Sequence, residues 1–283
     1  MLKKNIAFIG SGAMAEAMIA GLIRQKLAKP EELTASGPRP ERGEDLKKKY
    51  GVKPFTDNNQ AIHNADVVVL SVKPQRLTNV MKELKGIRSD ALVLSIVAGA
   101  SLKKISSGLK HTAVVRSMPN TPAQIGKGIT VWTASSAVTE SQKEAARAIL
   151  SALGEEVFAE DENYLDMATA LSGTGPAYVF LFTEALIDAG VHMGFPRHLA
   201  ERLVIETLSG SVEYYRKVEH HPASLRNQVT SPGGTSAEAL YYLEKAGFRT
   251  AISRAVWAAY QRSIELGKEK PAHIPEANKD DEI

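Results

Sequence analysis

Near the start of the chain a short apolar run, Ile6-Ala-Phe-Ile9, meets Gly10-Ser-Gly12-Ala-Met-Ala15 and then a helix-forming stretch that reaches Leu22. Apolar residues that succeed one another without alternation suit a strand covered on both faces, as in parallel sheets packed between helices. The glycines constrain the turn that leaves this strand. Gly10 permits a tight turn, Gly12 leaves the backbone bare for a pyrophosphate, and Ala15, in the third-glycine position, lets the helix lie close to the sheet. Free amides at such a helix start, around Ser11, Ala13 and Met14, face the anion. A strand-turn-helix without a ligand is the plain alternative, and the position of the motif between a strand and a helix favours a dinucleotide-binding domain.

Seven further runs extend that sheet. Glu32 to Ser36 and Lys53 to Thr56 read as flanking strands, Asp66 to Val72 and Ala91 to Val97 as buried parallel strands, and Thr112 to Arg116, Gly128 to Trp132 and Glu156 to Phe158 as the remainder. A helix from about Thr139 to Leu153 separates the last two. Ligands of open α/β sheets bind beyond the carboxyl ends of the strands. The backbone at Ser71-Val72-Lys73-Pro74 therefore lies near a cofactor, the small residues Ala98-Gly99-Ala100 leave room for a nicotinamide ring, and Asn120 either bonds the carboxamide or turns the chain. Cofactor choice falls at the end of the second strand. A 2′-phosphate needs hydroxyls and a guanidinium where an NAD site carries a carboxylate, and Ser36-Gly37-Pro-Arg39 supplies them, favouring NADPH over NADH.

Beyond Asp161 the pattern turns helical, giving an α/β Rossmann-type doubly wound sheet in residues 1–160 followed by an all-α domain in 161–267. The proline-broken, charged stretch 268–283 reads as a disordered tail. In the helical half Glu162 to Leu171 forms one helix, Ser172-Gly-Thr-Gly-Pro176 interrupts it, and Ala177 to Met193 forms another. That run carries Glu184, Asp188 and His192, so it is expected to fall short of a membrane span and to be a buried helix. Pro196 opens a long helix to about Arg216, and Phe248 to Leu266 forms the last. His220-His221 has no ligand-like spacing to other donors and reads as a solvated turn, so no metal is assigned. The stretch Leu225 to Glu238 sets Thr230, Ser231, Gly233, Gly234, Thr235 and Ser236 just before an amphipathic helix. It reads as a loop that binds an anion at a helix start.

Composition removes other classes. The 283 residues carry a net charge of +3 spread along the chain, with no basic, aromatic-interleaved stripe, so a nucleic-acid partner is not expected. There is no cysteine, which removes thiol chemistry and fits a cytoplasmic enzyme. The N-terminus runs into the first strand without a signal-peptide pattern. Two-domain enzymes that reduce ketones use a lysine on the first interdomain helix as acid, whereas here no lysine occurs between Lys143 and Lys217. A C=N substrate, more basic than a ketone, needs only a hydroxyl or water to assist. Its anionic group can rest on the amides of Gly233-Gly234-Thr235.

Gly10-Ser-Gly12-Ala-Met-Ala15, Ser71-Val-Lys-Pro74, Met118-Pro-Asn-Thr-Pro122, Leu171-Ser-Gly-Thr-Gly-Pro-Ala-Tyr178 and Val229-Thr-Ser-Pro-Gly-Gly-Thr-Ser236 together resemble the bacterial pyrroline-5-carboxylate reductases over about residues 4 to 267. The resemblance implies reduction of 1-pyrroline-5-carboxylate, a cyclic imine bearing a carboxylate, to L-proline with NADPH. It implies a dimer through the helical domains, with dimers often assembled into a ring of five, and no membrane partner. Carried over by motif, Gly10 to Met14 cradle the pyrophosphate, and Ser36, Gly37 and Arg39 take the 2′-phosphate. Asn58 and Ser71 to Pro74 take the ribose and phosphate region, the amides of Gly233 to Ser236 hold the substrate carboxylate, and Glu162 borders the imine. Many members carry threonine where this chain has Ser236, so the hydroxyl credited with bonding the imine nitrogen survives on a freer rotor. A reductase of another cyclic imine or a 3-hydroxyacid, and a non-catalytic regulatory paralogue, are the alternatives that the residues leave open.

Overall fold

The computed structural model describes residues 1–268. Alternating strands and helices build the first part in chain order: β1 (Ile6–Ile9), α1 (Ala13–Arg24), β2 (Leu33–Ser36), α2 (Pro40–Tyr50), β3 (Lys53–Phe55), α3 (Asn58–Ile62), β4 (Val67–Leu70), α4 (Pro74–Glu83), β5 (Leu92–Ser95), α5 (Leu102–Leu109), β6 (Val114–Met118), β7 (Gly128–Ala134), α6 (Glu140–Ser151) and β8 (Gly154–Phe158). The eight strands form one sheet in the order β3-β2-β1-β4-β5-β6-β7-β8. Neighbours run parallel except at β6–β7, where Arg116 pairs with Thr133 in an antiparallel register. The order reverses between β1 and β4, which is the crevice where ligands of doubly wound sheets bind.

Strand periodicity sends alternate side chains to opposite faces, and both faces are apolar. On one, Ile6, Phe8, Val67, Val69, Leu92 and Leu94 pack with Met18, Ile19 and Leu22 of α1 and Ile149 and Leu150 of α6. On the other, Ala7, Ile9, Val68, Leu70 and Val93 pack with Ala61 and Ile62 of α3, Leu77 and Met81 of α4 and Ile105 of α5. Helix ends obey local chemistry. Thr139 caps α6 through a box with Gln142, and Gly51 in the left-handed region closes α2.

The helical part continues with α7 (Asn163–Ala168), a π-helical turn at Thr169–Gly173, α8 (Gly175–His192), α9 (Arg197–Val218), α10 (Pro222–Gln228), α11 (Thr235–Lys245) and α12 (Phe248–Gly267). The chain divides into two compact units. Among the described residues, one comprises Met1–Gly173 together with 259–268, and the other is Thr174–Ala258. The helix α7 packs on β6 and β7 in the first unit.

Three expectations need correction. First, α8 is not a buried helix: among its residues only Ile187 and Gly190 are buried, and Phe180 and Leu181 are 66% and 67% exposed. An apolar sequence signals a need for cover, and nothing within the second unit supplies it. Second, the chain here does not fall short of a membrane span by length and composition: the segment Asn163–His192, which takes in most of this run, is long enough, and one 18-residue stretch within it reaches a mean hydropathy of 1.2. Third, Leu225 to Gln228 is helical. His221 caps α10, its Nδ1 accepting from the Ala223 amide at 3.2 Å, and Pro222 occupies the first turn. The expected tail lies, beyond Lys268, outside the described residues.

Candidate active site

The turn between β1 and α1 is built so that only glycine fits its first position. Gly10 has φ +106°, and a Cβ there would sit 2.7 Å from the Ser71 carbonyl oxygen. Its amide donates to the Ser36 carbonyl at 2.9 Å. Its carbonyl accepts from the Ser71 hydroxyl at 2.7 Å, so Ser71 fastens this turn to the end of β4. Gly12 caps α1 without a side-chain acceptor, has open space where a Cβ would lie, and is exposed together with Ala13. The amides of Gly12, Ala13 and Met14 have no partner among the described residues. A helix start with bare, unpartnered amides and an open approach fits a pyrophosphate. Arg42, from α2, holds the turn from outside. Its Nε donates to the Ser11 carbonyl at 2.9 Å and its Nη2 to Glu16. Glu16 also accepts from Lys49 at 2.7 Å and from the Tyr50 hydroxyl at 2.9 Å. These donors, Lys49 first and then Arg42, lower the Glu16 pKa to about 2.

At the end of β2 the geometry divides the expected trio. Ser36 is fully buried and its hydroxyl donates to Asn58 Oδ1 at 2.8 Å. Ser36 and Asn58 are therefore brought together, and the contact commits that hydroxyl inward. Gly37 makes room for Ser11, whose Oγ would lie 2.4 Å from a Cβ at Gly37. Arg39 is exposed at the start of α2, and its guanidinium has no partner among the described residues. Lys73 caps α4 with extended backbone, Pro74 takes the first helical position, and Val72 is half-buried beside them. Ala98 is half-buried in the turn after β5, and the neighbouring Gly99 has φ +70°.

Asn120 uses both ends of its amide on backbone. Oδ1 accepts from the Ile129 amide at 3.0 Å and Nδ2 donates to the Ser172 carbonyl at 3.2 Å. The chain-turning role accounts for both contacts. Glu162 is held likewise: its Oε1 accepts from the Leu102 amide at 2.7 Å and from Arg116 Nη1 at 3.0 Å. Arg116 and its other carboxylate, Asp166, are functional candidates that sequence reasoning alone does not single out. A signal is nonetheless present, since a charged residue beside the apolar pair Val114-Val115 requires a buried partner.

In the second unit, Ser231 to Gly234 form a turn closed by the Gly234 amide donating to the Ser231 carbonyl at 3.0 Å. Pro232 supplies the fixed φ of its second position and Gly233, at φ +72°, the left-handed third, the signature of a type II turn. Thr230 is spent on the Arg226 carbonyl at 2.6 Å. Gly234 caps α11 without a side-chain acceptor. The amides of Thr235 and Ser236 and the hydroxyls of Ser231, Thr235 and Ser236 have no partner among the described residues. This is an open start to a helix of 11 residues, suited to a carboxylate, with a hydroxyl at Ser236 beside it.

Residues 162–266 match the family model described as pyrroline-5-carboxylate reductase dimerisation, and residues 5–99 match that described as NADP oxidoreductase, coenzyme F420-dependent. The chain is similar to the pyrroline-5-carboxylate reductase of Synechocystis, with 46% identity over 264 residues, covering 93% of this chain and 98% of that protein. The protein of the same name from Corynebacterium melassecola is 40% identical over 272 residues, covering 93% and 99% respectively. Among solved structures, Plasmodium falciparum pyrroline carboxylate reductase with NADP bound matches with a TM-score of 0.88 at 33% identity, over 95% of this chain and all of that one.

Proposed function

The chain belongs to the pyrroline-5-carboxylate reductase family, and on that premise we propose that it reduces 1-pyrroline-5-carboxylate to L-proline with NADPH, the last step of proline biosynthesis. The observation that carries the proposal is the pair of glycine-opened helix starts, one in each unit, with unpartnered amides. One suits a pyrophosphate and the other a small carboxylate.

NADPH, when bound, supplies the hydride. The unpartnered amides of Gly12, Ala13 and Met14 would hold its pyrophosphate, with Gly10 shaping the turn. Arg39 meets the 2′-phosphate with a planar fork of donors, while Ser36 supports the site from beneath by fixing Asn58. The backbone of Ser71 to Pro74 borders the ribose, and Ala98 leaves space for the ring. On the substrate side the amides of Thr235 and Ser236, with Ser231, Gly233 and Gly234 shaping the turn, hold the carboxylate. The Ser236 hydroxyl donates a hydrogen bond to the imine nitrogen. The imine carbon gains a hydride and the nitrogen a proton, which yields the secondary amine of proline without a covalent intermediate on the protein.

The exposed apolar surface of α8 and α9, including Phe180, Leu181 and Leu203, is assigned to self-association, in keeping with the dimerisation description of residues 162–266. A second copy suits it better than lipid. Arg197 and Asp188 form an ion pair at 2.7 Å on these helices, a costly group to place in hydrocarbon. Assembly of dimers into a ring of five and a cytoplasmic location belong to the same proposal. Purified protein given NADPH and the imine acid should oxidise the cofactor and release proline. Folded protein that binds NADPH and turns nothing over would overturn the reading.

A further inference from the structure

Arg116 enters no part of the proposed chemistry, yet it is the most heavily engaged buried charge among the described residues. Its side chain is 6% exposed in the middle of β6, and it bridges two carboxylates, Glu162 Oε1 at 3.0 Å and Asp166 Oδ1 at 2.8 Å. Burying a guanidinium is costly unless its donors are matched, and two carboxylates on successive turns of one helical segment match it. Each carboxylate then does something further. Glu162 accepts the Leu102 amide at 2.7 Å, at the start of α5, and so pins one end of the turn Val97–Ser101. Asp166 accepts the Ser263 hydroxyl at 2.7 Å, with Ser263 only 2% exposed, and so anchors the last two turns of α12.

That helix end closes the circuit. A Cβ at Gly99 would lie 2.9 Å from the Gly267 nitrogen and 2.9 Å from Leu266 Cβ, and one at Gly267 would lie 2.8 Å from the Gly99 carbonyl oxygen. The turn that carries Ala98 is therefore gripped from two directions. On one side Glu162 holds Leu102, and on the other α12, secured through Asp166, packs on Gly99. Both grips lead back to one guanidinium. We infer that Arg116 is a positioning residue, which sets the Ala98–Leu102 turn, and with it the floor against which the nicotinamide is placed, through Glu162 and Asp166.

This rests on the reductase reading for its kinetic consequence, but the clamp itself has a readout that needs no turnover. Hydrogen exchange should show the amides of residues 98–102 exchanging at least about 10-fold faster in Arg116→Lys than in wild type, with β1 and α1 unchanged. Ser263→Ala should shift the same amides in the same direction. Should Arg116→Lys fail to fold, Ser263→Ala and Glu162→Gln carry the test. In steady-state kinetics Arg116→Lys and Glu162→Gln should each lower kcat about 10–100-fold, as displacement of a reacting group does, with the imine KM moving less than about 3-fold. The double variant should fall little below the worse single one. Deuterated NADPH should slow the variants more than it slows wild type. Exchange unchanged at residues 98–102, or raised equally throughout the chain, would overturn the proposal. Inactive wild type with the local exchange pattern present would instead count against the reductase reading and leave the clamp standing.

Discussion

The starts of α1 and α11 share a design and differ in what holds them. Each comes after a glycine pair, each is capped by a glycine that brings no side-chain acceptor, and each presents unpartnered amides. The first is fastened from four sides, by Ser71, by the Ser36 carbonyl, by Arg42 and by the close fit of Gly37 on Ser11. The second is shaped almost wholly by its own sequence, through the Pro232-Gly233 turn and the bond from Thr230 to Arg226, with no atom within 4 Å of where a Cβ at Gly233 would lie. Around the first lie the two apolar layers of the sheet. Around the second the helices bury little, and Tyr241, Tyr242 and Phe248 are exposed. The difference teaches that the turn proposed for the cofactor is held from within one chain, whereas the turn proposed for the carboxylate stands on helices whose apolar faces lack cover within their unit.

Gly10→Ala strikes the fastened turn where no slack exists. The alanine must hold φ +106° and clear the Ser71 carbonyl, and NADPH affinity measured by fluorescence titration should fall by more than about 100-fold. At the other start, Ser236→Ala should lower turnover about 10–1,000-fold with NADPH affinity unchanged, the range for removing a proton or oxyanion donor. Unchanged turnover would pass the nitrogen's proton to water. Arg39→Ala separates cofactor choice from cofactor binding. The ratio of kcat/KM for NADPH over NADH should drop about 10-fold, the worth of one charge-assisted contact, and a ratio that stays put would return the 2′-phosphate to other groups.

The smallest effect probes the outer brace of the first turn. Because the Glu16 pKa lies near 2 in the folded chain against an ordinary 4.5, the unfolded chain binds more protons between these values. Its contribution is therefore complete above about pH 4.5 and lost as the pH falls toward 2. Glu16→Gln should cost about 1–2 kcal/mol at neutral pH, read by denaturant unfolding, and the two proteins should converge in acid.

Much of the first unit is legible in the sequence because its signals are local. Short apolar runs mark the strands, and the glycine spacing marks the phosphate turn. The open helix start before α11 is legible for the same reason. The misses are mostly relations between distant residues. Ser36 reads as a ligand group because a hydroxyl at a strand end commonly faces the crevice, yet its direction is decided by Asn58, 22 positions later. Arg116 finds Asp166 and Asp166 finds Ser263 across separations of 50 and 97 residues, which no periodicity records. The exposure of α8 is hidden for a different reason. Burial inside a chain and burial against another copy leave the same apolar pattern, so the run Val179 to Phe182 announces cover without saying whose.

The most direct test traces the hydride itself. Wild-type protein is incubated with the imine acid and NADPH carrying deuterium at both C4 positions, and the product is analysed by mass spectrometry. The account predicts L-proline heavier by one deuterium, located on the ring carbon that had been double-bonded to nitrogen. Proline formed without the label, or labelled cofactor bound by folded protein with no proline formed, would contradict it.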